Sequence, residues 1–518
     1  MRISDRVKAM QNSPIRKFNP LADAAKAEGT KIYHLNIGQP DIETPSVFWE
    51  AVKGFDQKVL AYAGSWGLPE LQDAICEYFK RFDMNLDRND VLITAGGSEA
   101  LTLVFLSCIN PGDEIIVPEP YYTNYLTFIQ AADGVIKPIT TYAEEGYKYA
   151  IKERLEAVVT DKTKMISIVN PGNPTGCILS REDMRVIADF AKEHDLWILA
   201  DEVYREFAYD GREMTSFGQL ADIEDRVIII DSVSKRFSAC GARIGCMVCK
   251  NKEYMAEVFK IAMGRLCVPT LDMVGATAMY KLPADFFVDV KAEYEHRRNV
   301  CFEALKKIPG VVCECPGGAF YITCKMPVES TEDLLVFLLT KFRDNGETVM
   351  FAPAEGFYAT PGLGKNELRI AYILKAEDLA RAIELLGKGI EAYKAQGGKF
   401  GARDIRRVIR KEVEDRIDRV FKTEELLKRQ LAFFPLSIAS FSHKQETRVV
   451  YSFYTLLGTI VELLKRYNVL KEDNYATSDV KDKTKFIVDN IAVLINELSQ
   501  IKDNVMPAFE NSAPDRSA

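Results

Sequence analysis

One stretch gathers the groups best suited to covalent chemistry: Ser232-Val-Ser-Lys-Arg-Phe-Ser-Ala-Cys-Gly-Ala-Arg-Ile-Gly245. Ser232 and Ser234 stand just before Lys235, and Arg243 follows between Gly241 and Gly245. The run Val227-Ile-Ile-Ile230 before it reads as a buried parallel strand, so Lys235 falls where a strand ends. An amine beside hydroxyls and a guanidinium suggests a Schiff base to a phosphorylated aldehyde, pyridoxal 5'-phosphate. A surface lysine in a polar turn is the plainer alternative.

Four more strand ends carry reactive or polar groups. Thr94-Ala-Gly-Gly-Ser-Glu-Ala100 opens a helical run, and Gly96, Gly97 and Ser98 could cradle an anion at a helix N-terminus. Such turns are also common for structural reasons alone. Tyr122, in Pro120-Tyr-Tyr-Thr-Asn-Tyr125, could stack on a planar ring or simply pack beneath a loop. Asn170-Pro-Gly-Asn-Pro-Thr-Gly176 fixes an irregular backbone that aims Asn173. Asp201 closes an apolar run. A carboxylate there is costly without a cationic partner, and a protonated pyridine nitrogen would be one. It could equally cap a helix. Tyr204, three residues on, could reach the ring's 3′-oxygen.

These groups need a scaffold that brings strand ends to one edge. From about 46 to 290, short apolar strands alternate with helical patterns such as Arg181–His194. The strands are Val91–Thr94, Glu114–Val117, Met165–Val169, Trp197–Ala200 and Val227–Ile230. The alternation predicts an α/β fold: a large domain with a mostly parallel sheet covered by helices on both faces. Ligands bind such sheets at the C-terminal strand ends. Residues 1–45 read as an N-terminal arm belonging to a smaller α+β domain, which residues 291–396 complete. That domain has strands at Phe320–Thr323 and Leu368–Tyr372, and Ile32–Ile37 is an edge strand.

Beyond residue 400 the composition changes: only Gly401 and Gly458 remain of 31 glycines, and no cysteine. Three apolar stripes at helical spacing predict an extra all-α segment over 401–510, and 511–518 reads as a disordered tail.

A net charge of −8 argues against nucleic acid as the main partner. No apolar run has the length of a membrane span. Eleven irregularly spread cysteines and no signal-peptide pattern at Met1–Asp5 fit a cytoplasmic protein. Cys246-x-x-Cys249 looks like half a metal site, but a strand would point the two to opposite faces, so no metal is expected.

Taken together, Gly38-Gln-Pro-Asp41, Tyr62, Gly96-Gly-Ser98, Asn170–Gly176, Asp201-Glu-Val-Tyr204, Ser232-x-Ser-Lys235, Gly241-x-Arg-x-Gly245 and Leu368-Arg-Ile370 carry a resemblance. Residues 10 to 396 resemble a class I/II aminotransferase of the fold type I pyridoxal-phosphate superfamily, in the aspartate aminotransferase-like group. The resemblance implies Lys235 as Schiff-base lysine and proton shuttle, and Asp201 as partner of the ring nitrogen. Tyr204 and Asn173 become ligands of the 3′-oxygen, and Tyr122 the stacking ring. Gly97, Ser98, Ser232 and Arg243 become phosphate ligands. It places Gly38, Asn173 and Arg369 on the substrate side, with Arg369 gripping the α-carboxylate. Tyr62 resembles a tyrosine that reaches a neighbouring subunit's phosphate, which implies a homodimer with shared active sites. The implied reaction moves an amino group between an L-amino acid and a 2-oxo acid. A lyase or decarboxylase on the same fold, or a non-catalytic scaffold acting through the tail, are the alternatives. Some aspartate-specific members carry a lysine where this chain has Ser98. Arg265 could serve instead, but a surface role for it is expected.

Overall fold

The computed structural model describes residues 3–397. The expected helical stripes of 401–510 and the tail 511–518 lie outside the described residues. Twelve strands are found among those described. In chain order they are β1 (Lys31–His34), β2 (Val91–Thr94), β3 (Glu114–Glu119), β4 (Val135–Thr140), β5 (Thr163–Val169) and β6 (Trp197–Asp201). There follow β7 (Val227–Ser232), β8 (Gly245–Val248), β9 (Tyr321–Lys325), β10 (Glu347–Met350), β11 (Ala352–Pro353) and β12 (Glu367–Ala371).

Seven of them form one sheet in the order β2-β8-β7-β6-β5-β3-β4. Only β8 runs antiparallel to its neighbours. The other six therefore end at one edge, where the motifs that follow β2, β3, β5, β6 and β7 sit. The β-branched runs that read as strands are buried on both faces, as a sheet covered twice requires. Cys246 packs into the core on one face and Cys249 into the core on the other. β4 escaped the sequence reading because Lys137 and Pro138 interrupt its apolar pattern and it pairs with β3 alone, as edge strands tolerate.

The covering helices follow ordinary rules. Arg181–Glu193 starts at a capping box in which Ser180 and Asp183 satisfy each other's backbone N–H. It buries Met184, Ile187, Ala188 and Ala191, one face of a 3.6-residue period. Ser180→Ala would cost about 1 kcal/mol.

The remaining strands form two small sheets. β12 lies between its antiparallel neighbours β11 and β9, while β1 pairs in parallel with β10. The β1·β10 pairing joins Lys31–His34 to a strand more than 300 residues away, a contact that local periodicity does not encode. Phe286–Leu305 is a long helix of 20 residues. Among the described residues no helix is long and apolar enough to cross a membrane.

Candidate active site

Asp201 is the last residue of β6, and Lys235 lies in the turn after β7, the neighbouring parallel strand. Both line a cleft of about 410 Å³. Gly38, Gly97, Ser98, Tyr122, Asn173, Tyr204, Ser232, Arg243 and Arg369 line the same cleft. Of the cofactor and substrate residues that the resemblance implies, Tyr62 alone is elsewhere: it is 81% exposed on the surface of this chain.

The Asp201 carboxylate is buried and accepts from the Tyr125 hydroxyl at 3.0 Å and the Val203 N–H at 3.4 Å. It forms no ion pair among the described residues. Burial pushes its pKa up to about 6, against the pull of those two donors. Tyr125 was missed by the sequence reading. Its place one helical turn after Tyr122, in the helix that opens there, was the available signal.

Lys235 Nζ donates to the Gly38 carbonyl at 3.0 Å. A side chain at Gly38 would collide with the Tyr321 hydroxyl, at 1.9 Å from a Cβ, so glycine brings this carbonyl to the lysine. Charged neighbours hold the lysine turn from behind: Asp231 and Arg236, both fully buried, pair with each other. The Arg236 guanidinium also lies over the Tyr78 ring. Ser232 caps the turn by accepting from the Ser234 N–H, and its hydroxyl reaches Ser234 Oγ at 2.8 Å.

The helix Gly96–Cys108 begins beside this turn. Gly96 has φ +74°, and a Cβ there would strike Arg243 Nη2 at 2.5 Å. Arg243 itself adopts φ +53°, a left-handed conformation unusual for arginine, which swings its guanidinium to the helix start. Together, free helix-start N–H groups, the Ser98 and Ser232 hydroxyls and one guanidinium make an anion cradle. Arg265 is not a surface residue: it is largely buried, donates to Glu99 at 2.9 Å and to the Ile93 carbonyl at 2.9 Å. Glu99 in turn accepts from the Ala95 N–H. Arg265 thus braces the glycine turn from outside the cleft, a role no spacing in the chain reveals.

Arg369 comes from β12, in register with Thr323 of β9. Its guanidinium donates to Asn173 Oδ1 at 3.1 Å and to the Asn36 carbonyl at 2.7 Å, and its Nε is buried without a partner. Burial lowers its pKa, the mark of a cation held out of water with no carboxylate beside it. Tyr321 completes the wall. Its hydroxyl meets that of Tyr204 at 3.0 Å, and its ring lies 4.7 Å from the Arg369 guanidinium. Read as a strand residue only, Tyr321 was not expected in the site. Strand alternation permits it, but which face meets the cleft depends on how the small sheet docks.

Residues 30–386 match the family described as aminotransferase class I and II. An aspartate aminotransferase of Bacillus subtilis is 31% identical over 401 residues, covering 76% of this chain and 100% of that protein. The asparagine–oxo-acid transaminase of Streptococcus mutans is 31% identical, over 74% of this chain and 97% of that one. The solved alanine aminotransferase from Pyrococcus furiosus superposes with a TM-score of 0.70 at 30% identity, covering 76% of this chain and all of that one. With strand ends, cleft and family match in agreement, the chain belongs to the class I and II aminotransferases.

Proposed function

We propose that this cleft holds pyridoxal 5'-phosphate and uses it to move an amino group between an L-amino acid and a 2-oxo acid, in a homodimer with shared sites. The residues present suit the group. Asp201 is a buried carboxylate without a cation among the described residues, and a protonated ring nitrogen would be that cation. The anion cradle of Gly97, Ser98, Ser232 and Arg243 suits a phosphate, and Arg243 supplies the charge. Tyr122, whose hydroxyl burial pushes up to about 12, offers a neutral ring for stacking. Tyr204 and Asn173 would hold the ring's 3′-oxygen. When bound, the cofactor supplies an aldehyde that takes up and returns the amino group and a ring that accepts electrons from the substrate Cα.

The chain's own groups do the rest. Lys235 Nζ would anchor the cofactor and take the proton from the substrate Cα. Arg369 holds the substrate carboxylate by charge-assisted hydrogen bonds, with Asn173 fixing the guanidinium. Holding the carboxylate also fixes which Cα bond faces Lys235, so orientation selects proton removal over loss of the carboxylate. Asp201 keeps a negative charge at the end of β6, and Tyr204 and Tyr321 close one wall against water.

Tyr62 supports the dimer. With Val59 at 73% and Leu60 at 59% exposure, it lies on an apolar strip that a second copy would cover. In this reading residues 46–290 carry the cofactor, and residues 291–396 with the arm 1–45 bring Arg369 to it.

The observation that carries the proposal is the placement of Asp201 and Lys235 at adjacent strand ends, facing one cleft with Arg369. The test is a panel of L-amino acids with 2-oxoglutarate and the cofactor-loaded protein. Formation of glutamate and the matching 2-oxo acid is expected. Ammonia release without glutamate would indicate elimination and overturn the reading.

A further inference from the structure

Val312 and Lys325 form an antiparallel bridge in which each donates its N–H to the other's carbonyl, at 3.0 and 2.9 Å. Antiparallel pairs alternate between hydrogen-bonded and non-hydrogen-bonded positions, so the next pair inward is of the second kind. That pair is Cys313 and Cys324. In such pairs the Cα atoms lie about 4.5 Å apart and the side chains share one face, within the span that a disulfide bridges. Both cysteines are free, and each thiol interacts with the other.

We propose that Cys313 and Cys324 are a redox modification site: a cross-strand dithiol that hydroperoxides close reversibly to a disulfide. Cys313 is the attacking group. It is partly exposed, whereas Cys324 is fully buried in the core beneath. The Cys324 thiol, as hydrogen-bond partner, holds Cys313 below the usual thiol value, and the Lys306 ammonium adds to this against the effect of burial. Burial pushes Cys324 the other way, as suits a resolving thiol. The Cys313 thiolate attacks one peroxide oxygen. The O–O bond breaks, hydroxide leaves to become water, and Cys313 becomes a sulfenic acid. Cys324 sulfur then attacks the Cys313 sulfur, the S–OH bond breaks and a second water departs with the Cys324 proton. Two thiols and one hydrogen peroxide thus yield one disulfide and two waters.

The link would form one residue beyond Thr323, which pairs with Arg369 and donates to the Pro174 carbonyl at 2.9 Å. It would therefore tie segment 311–315 to the strand that carries Tyr321 into the cleft.

The test uses the full chain loaded with cofactor and treated with hydrogen peroxide. Remaining thiols are then blocked and peptides mapped by mass spectrometry. We expect the Cys313 and Cys324 peptides to be joined, with two of the eleven thiols lost and both recovered with dithiothreitol. Cys324→Ala should leave Cys313 as a sulfenic acid that dimedone traps, and Cys313→Ser should leave Cys324 unmodified. A link from either cysteine to Cys301 or Cys315 would overturn the pairing. So would survival of both thiols at peroxide levels that oxidise the exposed Cys315.

Discussion

Arg369 donates to Asn173 at 3.1 Å although 196 positions separate them in the chain. One stands on a strand of the small sheet and the other in the loop after β5, so the contact ties the two halves of the cleft. A lysine at 369 could not keep both this bond and the one to the Asn36 carbonyl while still gripping a carboxylate. Arg369→Lys should raise KM for every amino acid substrate by roughly 10²-fold, which is about 2–3 kcal/mol, with a smaller fall in kcat. Steady-state kinetics with several donors decide it. Unchanged KM values would place the carboxylate site elsewhere.

Asp201 gives a pH signature to the cofactor-free protein. Its folded pKa of about 6 lies above the ordinary carboxylate value of about 3.9, so between those values the folded state holds more proton than the unfolded one. Stability from this group is greatest at low pH and falls as pH rises from about 4 to 6. The change is on the order of 2–3 kcal/mol. Denaturant melts of the cofactor-free protein should show that decline, and Asp201→Asn should lack it. Parallel pH profiles for the two proteins would rule out a strained buried carboxylate.

Much of the site was legible because its residues cluster in short motifs at strand ends, and strand ends follow from apolar runs broken by glycine and proline. Lys235, Asp201, Asn173 and Arg243 were found that way. Tyr125, Tyr321 and the brace from Arg265 to Glu99 were not. Each acts through a partner far away in the chain, Asp201, Tyr204 and the glycine turn respectively, and periodicity carries no information about such pairs. The same holds for β1, whose partner β10 comes only after the whole large sheet, and for β8, whose reversed direction is set by pairing rather than composition.

Tyr62 tests the proposed shared site. If the proposed dimer forms, Tyr62→Phe should leave its sedimentation unchanged and weaken cofactor binding roughly 10-fold, the loss of one hydrogen bond to a charged group. An unchanged cofactor Kd would remove Tyr62 from the neighbouring site.

Lys235 is the centre of the account, and one measurement addresses it directly. The protein is loaded with pyridoxal phosphate, treated with borohydride, digested and mapped by mass spectrometry. The account predicts one cofactor adduct, on Lys235, with complete loss of transamination, and neither adduct nor turnover in Lys235→Ala, whose fold is checked by circular dichroism. An adduct on another lysine, or a folded Lys235→Ala protein that still transaminates at more than a small fraction of the native rate, would contradict it.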